Sequence, residues 1–255
     1  MCFLARIQIC ILVFVAISVT SCAQKDTPVS DCEAPNHQLW TDLLQAHVDS
    51  NGWVSYSGFV NDSVVFNNYL NTLSSCAPNA NWNREEKLAY WINAYNAFTV
   101  KLIVDNYPVS SIKDIKKGIP FINSVWDMKF FEIGGKKMDL NEIEHSILRK
   151  EFNEPRIHFA IVCASESCPS LLNEAYEPET LEAQLTLQAR NFIDDNSKNE
   201  IELNEIRISS IFKWFSGDFT ENGTVHDFIR PYSNRDFGSS AKVKYLDYDW
   251  NLNGE

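Results

Sequence analysis

A chain of 255 residues with a formal net charge of −12 repels phosphate backbones, which argues against a nucleic-acid partner. Its content of 45% hydrophobic and 13% aromatic residues suffices for a full core and excludes a disordered polyelectrolyte. No internal repeat or low-complexity block appears.

The first stretch, "MCFLARIQICILVFVAISVTSC", has a basic residue (Arg6), then a short apolar run, then a small-residue site. That is the build of a secretory signal, too short and too early for an ordinary spanning helix. A cysteine directly after "VTS" resembles the bacterial lipobox. We therefore expect residues 1–21 to be a lipoprotein signal peptide, Cys22 the lipidated first residue, 22–36 a polar tether and 37–255 one domain. A plain signal peptide or an uncleaved anchor is the alternative. The expected location is the cell envelope, with the chain lipid-anchored to the outer membrane, periplasmic or surface-exposed. Membrane contact is then through the N-terminal lipid only, and the expected assembly is a monomer.

Cys2 and Cys10 leave with such a signal, so Cys32, Cys76, Cys163 and Cys168 remain. An oxidising compartment permits disulfides. Cys32 and Cys76 flank the N-terminal helical segment and are a candidate pair. Cys163 and Cys168 are then a second disulfide or a functional site.

The elements follow in chain order. "HQLWTDLLQAHV" reads as a helix with Leu39, Leu43, Leu44 and Val48 on one face, ended by Asn51-Gly52. "SVVFNNYLNTLSSC" is a second amphipathic helix. "NWNREEKLAYWINAYNAFTVKLIVDNYP" is the strongest. Asn83 and Glu86 have capping-box spacing, and the run is apolar almost all round, so it belongs at the centre. "FFEIGGKKMDL" predicts a hairpin turning at Gly134-Gly135. "DLNEIEHSILRKEF" predicts a helix capped by Asp139 or Asn141, and "RIHFAIVC" a buried strand. "EPETLEAQLTLQARNFIDDN" is a further helix and "EIELNEIRIS" a strand pair or single strand. "SIFKWFSGDFT" is a short helix, and "KVKYLDYDWNLN" a last strand. Helices come first and few strands follow. The expected class is α+β, with a central buried helix and further helices packed on a small mostly antiparallel sheet.

The chemistry-bearing residues concentrate in three places. In a strand "HFAIVC", His158 and Cys163 lie on opposite faces, roughly 16 Å apart, so His158 is better placed to reach a buried polar partner. Cys163 sits where strand meets turn. Cys168 precedes Pro169, a favoured first helical residue, so a helix dipole is expected to lower its thiol pKa. Both thiols are candidate nucleophiles, a disulfide or two inert buried thiols being the bland reading. "NEIEHSILRK" offers His145 as base, with Glu142 and Arg149 on its helical side and Glu144 adjacent. A solvated helix face explains the same pattern. Asn93 and Asn96, three apart in an apolar helix, form a core network or supply donors to an oxyanion. No CxxC, HExxH, calcium loop, glycine-rich phosphate loop or GxSxG elbow is present, so neither metal nor cofactor is expected. A zinc site from Cys163, Cys168 and His158 is a minor alternative.

"EEKLAYWINAYNAFTVKLI", "LNEIEHSILRK", "RIHFAIVCASESCPSLLNEAYEPETLEAQLTLQARNFI" and "IFKWFSGDF" together resemble the family known as domain of unknown function 547, over roughly 83–253. Trp91 to Ala97, then Glu144, His145, Leu148 and Arg149, then His158 to Cys163 carry the likeness, with Ile161 in place of leucine. The family is similar, distantly, to papain-like and transglutaminase-like thiol enzymes. The resemblance implies that architecture, with a Cys nucleophile, a His partner and a supporting carboxylate, which we take as Cys163, His145 and Glu144 or Glu142. It names no substrate.

The leading expectation is thus a thiol-dependent hydrolase or acyltransferase acting on a peptide or γ-glutamyl-type amide, with a peptide-like or small thiol-containing substrate. A non-catalytic lipoprotein that binds a small ligand or a protein is the second reading. A thiol/disulfide redox protein is the third, disfavoured by the C-x₄-C spacing.

Overall fold

The computed structural model describes residues 32–115 and 124–255. The expected signal peptide, Cys22 and most of the tether lie outside the described residues.

The α+β class is shown, and it has two hydrophobic centres. The first is built on four helices: α1 (Gln38–His47), α2 (Tyr56–Asn61), α3 (Ser63–Ser75) and α4 (Arg84–Val104). Both arms of the α4 capping box form: Asn83 Oδ1 accepts from the Glu86 amide at 2.8 Å, and Glu86 accepts from the Asn83 amide at 2.6 Å. With its N-terminal amides satisfied, α4 runs 21 residues and buries nearly its whole middle, from Leu88 to Val100. The α1–α3 layer packs through aromatic rings, with Trp40 stacked on Tyr69 at 5.4 Å and on Phe66 at 5.8 Å. The segment after Asn51-Gly52 forms its own helix, α2, because Gly52 turns the chain at φ +81° and a bridge joins Val48 to Val54. Cys32 and Cys76 are disulfide-bonded, tying the start of the domain to the end of α3.

The hairpin forms as expected. Strands β1 (Phe131–Ile133) and β2 (Lys136–Met138) pair antiparallel, Phe131 facing Met138, with Gly134 and Gly135 at positive φ. Phe131 stacks on Phe98 of α4 at 4.0 Å, which fastens the hairpin to the central helix.

The next segment departs from an ordinary helix. Residues Glu142–Leu148 wind as a π-helix, continued by α5 (Arg149–Glu151). Asp139 caps it, accepting from the Glu142 amide at 2.8 Å. Wide turns of this kind are rare and recur at functional sites.

"RIHFAIVC" is not a strand. Ile157–Ala160 form a helical turn, α6, and the chain extends only from Ile161. A strand needs ladder partners for its backbone, and here side chains supply them. Asn96 of α4 donates to Ala160 O at 2.9 Å and accepts from the Val162 amide at 2.9 Å. The α6 turn sits between the two centres: Ile157 and Ala160 pack with the first, Phe159 with the second.

The second centre holds α7 (Leu181–Asp194), three strands and three short helices. β3 (Glu200–Ile201) pairs antiparallel with β4 (Glu205–Ile208), and β5 (Lys242–Tyr245) pairs parallel with β4. "SIFKWFSGDFT" divides into α8 (Ile211–Trp214) and α9 (Ser216–Phe219), and α10 (Val225–Ile229) follows. This sheet is mixed and packs its apolar face on α7 and the short helices, not on α4 as the sequence suggested. Two separate sheets, of two and three strands, are present among the described residues.

The strand expected in "KVKYLDYDWNLN" ends at Tyr245. Beyond it the chain threads back across the molecule. Ser167 Oγ accepts from the Asp249 amide, Asn251 O accepts from the Glu166 amide, Ser110 O accepts from the Leu252 amide, and Asn253 accepts from Tyr56 Oη. This return places Tyr248 and Trp250 beside the "CASESC" turn.

Candidate functional site

The best-formed cavity, about 220 Å³, opens where the two centres meet. Cys163, Cys168, Glu144, His145 and His158 all line it. Its walls are aromatic: Tyr95 from α4, Trp126, Trp214, Phe215, and Tyr248 and Trp250 from the C-terminal return. The volume is below that of a drug-sized pocket, so it suits a side chain or a small metabolite.

Cys163 and Cys168 are joined by a disulfide across the turn, Cα to Cα 6.2 Å. Cys168 is 3% exposed, and Cys163 is the more open of the two. Tyr248 Oη lies 3.2 Å from each sulfur, and Ser165 Oγ lies 3.3 Å from each. The Cys163 amide donates to Cys168 Sγ at 3.0 Å. Ala164, directly after Cys163, takes a left-handed conformation at φ +57°. That costs a non-glycine residue about 1 kcal/mol, and such strain gathers at functional sites. No helix starts at Pro169, since the next is α7 at Leu181. The expected helix dipole at Cys168 is therefore absent.

His158 and Cys163 share this cavity, contrary to the opposite-face geometry of a straight strand. His158 finds the buried polar partner expected of it: its Nε2 stands 2.7 Å from Asp218 Oδ2 on α9. Arg149 grips the same carboxylate with two bonds, Nε to Oδ2 at 2.6 Å and Nη2 to Oδ1 at 2.8 Å. Burial opposes ionisation of Asp218, but the bonds from Arg149 and His158 outweigh it and hold the carboxyl well below the usual range. An ionised carboxylate only accepts, so His158 donates through Nε2. Burial also lowers the His158 pKa, against the pull of Asp218. The ring is then neutral, with its lone pair on Nδ1.

His145 is held the other way. Arg149 Nη1 donates to His145 Nδ1 at 3.0 Å. A guanidinium cannot accept, so the neutral ring carries its proton on Nε2. Burial first and Arg149 second lower the His145 pKa. Among the described residues, neither imidazole hydrogen-bonds either sulfur.

Neither expected carboxylate orients His145. Glu144 is 8% exposed and accepts from Tyr95 Oη at 3.3 Å. Burial pushes its carboxyl up to about 7, against the Tyr95 bond. Glu142 faces outward and pairs with Lys129 at 2.8 Å and Lys136 at 3.0 Å. Consecutive residues of the π-helix, Glu144 and His145 nevertheless both line the cavity. Asn93 and Asn96 serve the core. Asn93 bridges the backbone of Tyr176 in both directions, at 2.8 and 2.9 Å, as Asn96 bridges Ala160 and Val162. Neither lines the cavity.

Asp218, Tyr95, Tyr248 and the three tryptophans of the wall were given no role from the sequence. Asp218 left one signal, a lone acid between Phe215 and Phe219. Among the described residues, no group of three or more His, Cys, Asp or Glu is placed to hold a metal ion, and no helix is long and apolar enough to cross a membrane.

Residues 79–193 match the model of the family described as "Protein of unknown function, DUF547". The chain carries a DUF547 domain. No curated protein and no solved structure matches it. The DUF547 match covers α4, the π-helix, both histidines, the "CASESC" turn and α7, and ends at Ile193. Asp218, Trp214, Tyr248 and Trp250 come from the chain beyond the match, so the DUF547 segment supplies the sulfurs and imidazoles and the following residues close the site.

Proposed function

We propose that the reduced protein is a thiol-dependent hydrolase or acyltransferase, with Cys163 as nucleophile and a small amide or ester carbonyl, peptide or γ-glutamyl in kind, as substrate. One observation carries the reading: the more open sulfur, Cys163, shares an aromatic-walled cavity with an imidazole that a carboxylate orients, His158 on Asp218. The disulfide is the resting form. A small thiol reductant frees both sulfurs by going over to its own disulfide. The Cys163 proton then passes to His158 Nδ1, and the sulfur attacks the carbonyl carbon. The oxyanion that forms takes a hydrogen bond from His145 Nε2–H. As it collapses, the C–N or C–O bond breaks and His158 returns the proton to the leaving group. Water or a second amine then releases the acyl group from the thioester. His145 suits the donor role better than that of base, because Arg149 occupies its Nδ1.

The test is the alkylation rate of each thiol against pH in the reduced full-length chain, read by peptide mass spectrometry. The expected result is a Cys163 apparent pKa below the free-thiol value of about 8.5, restored towards it in His158→Asn and less affected in His145→Ala. A Cys163 that stays inert after reduction overturns the reading.

A second reading, a binding domain without covalent chemistry, is favoured by the disulfide itself, which occupies both sulfurs. An inert Cys163 in a cavity that still binds ligand would establish it. Lipidation at Cys22 belongs to either proposal, motivated by the lipobox-like "VTSC", and a mature chain starting at an unmodified residue would refute it.

A further inference from the structure

We propose that this cavity recognises a compact organic cation, an amine or quaternary ammonium group, held against its aromatic wall by the carboxylate of Glu144. The inference deepens the reading of the cavity as a substrate site and rests on it.

The wall is a continuous patch of rings. Trp250 lies 4.6 Å from Tyr248, 5.6 Å from Trp126 and 5.9 Å from Trp214, and Trp214 lies 4.7 Å from Tyr248. Trp214 is 48% exposed, an unusual state for a large aromatic ring. Rings of this kind offer a negative face, and tryptophan binds cations best. The chain itself uses the patch in this way. The exposed Lys113 places its ammonium 4.4 Å from the Trp250 ring centroid, and the Arg149 guanidinium lies 5.0 Å from the Phe215 ring.

The charges in the cavity point the same way. Among the described residues, Glu144 is the one carboxylate lining it, and both imidazoles are neutral. Asp218, which touches His158, is already matched by Arg149. Among the described residues, Glu144 takes its hydrogen bond from the Tyr95 hydroxyl and forms no salt bridge, Arg149 acting on it only through space. Burial therefore raises its carboxyl to about 7, so the charged form is held weakly. An entering ammonium would restore its charge and gain a pair in a water-poor site. An anion would meet Glu144 and a chain of net charge −12. The small volume admits a headgroup or a side chain terminus, not an extended ligand.

The test compares choline with its uncharged carbon isostere, 3,3-dimethylbutan-1-ol, on the oxidised full-length chain. Binding is read by calorimetry and by quenching of tryptophan fluorescence, three of the seven tryptophans being on the wall. The expected result is choline binding roughly ten-fold tighter than the isostere, a preference of the size a desolvated cation–π contact gives. Glu144→Gln should shrink that preference towards one while leaving isostere binding unchanged. Trp214→Ala, at an exposed position that does not threaten folding, should weaken choline more than the isostere. Equal or tighter binding of the isostere overturns the cation assignment and leaves the cavity as a ligand site. Binding of neither compound overturns it as well, while Cys163 alkylation judges the enzyme reading independently.

Discussion

His158 Nε2 and Asp218 Oδ2 stand 2.7 Å apart across 60 residues of sequence, and Arg149 closes on the same carboxylate from the π-helix side. The shared carboxylate joins α6, α9 and α5, the continuation of the π-helix. Replacing Asp218 by Asn keeps the shape but removes the charge, leaving Arg149 without its ion pair. We expect a loss of about 2 kcal/mol in unfolding free energy by urea titration, since the pair is only partly buried. The folded-state pKa of Asp218 is depressed, so its stabilisation is present above the unfolded carboxylate value near 4 and fades as pH falls below it. The wild-type advantage over Asp218→Asn should therefore vanish in strong acid. An advantage unchanged down to pH 2 would refute the ion pair.

Glu144 has the opposite sign. Its carboxyl is raised from 4.5 to about 7 by burial. Below pH 4.5 both states hold the proton and the group contributes nothing. Between 4.5 and 7 the unfolded chain releases the proton and the folded chain keeps it, so stability falls as pH rises. Above 7 the penalty is complete, about 3 kcal/mol. Glu144→Gln removes that slope, so its stability relative to wild type should rise between pH 4 and pH 8. A pH-independent difference would mean that Glu144 ionises freely.

Asn96 supplies both hydrogen bonds that a strand at Ala160–Val162 would have drawn from a neighbour. Asn96→Ala strands two buried backbone groups, at about 1–3 kcal/mol each before relaxation. A loss of 2–4 kcal/mol is expected, with faster proteolysis near the "CASESC" turn. A change under 1 kcal/mol would show that the turn holds itself.

The Cys32–Cys76 disulfide spans 44 residues. Loop-closure entropy for a ring of that size is worth about 4 kcal/mol. The double Cys→Ser variant should lose 3–4 kcal/mol by chemical denaturation and keep the Cys163 alkylation profile. A changed profile would place this disulfide in the function and not merely in the scaffold.

Asn83→Ala is a smaller local case. It removes one arm of the α4 capping box and should cost about 1 kcal/mol. A helix that starts at Arg84 with undiminished stability would show that tertiary packing alone sets the α4 boundary.

What the sequence determined by itself is local. The α4 box and the Gly134-Gly135 turn follow from local backbone chemistry, and the helices α3 and α7 from apolar residues spaced along one face. The α+β class follows from their order, while the sequence made Cys32 and Cys76 only a candidate pair that the structure joins. Tertiary structure decided the rest. "RIHFAIVC" has the apolar alternation of a strand, but Asn96 from α4 satisfied its backbone and left Ile157–Ala160 free to coil. Glu144 and His145 lie in a π-helix that no periodicity announces. Asp218 reaches His158, and Tyr248 and Trp250 reach the cavity, from 55 to 87 residues beyond Cys163. No spacing rule covers that distance, because such contacts are fixed only when two hydrophobic centres close on each other and bring their unmatched polar groups together.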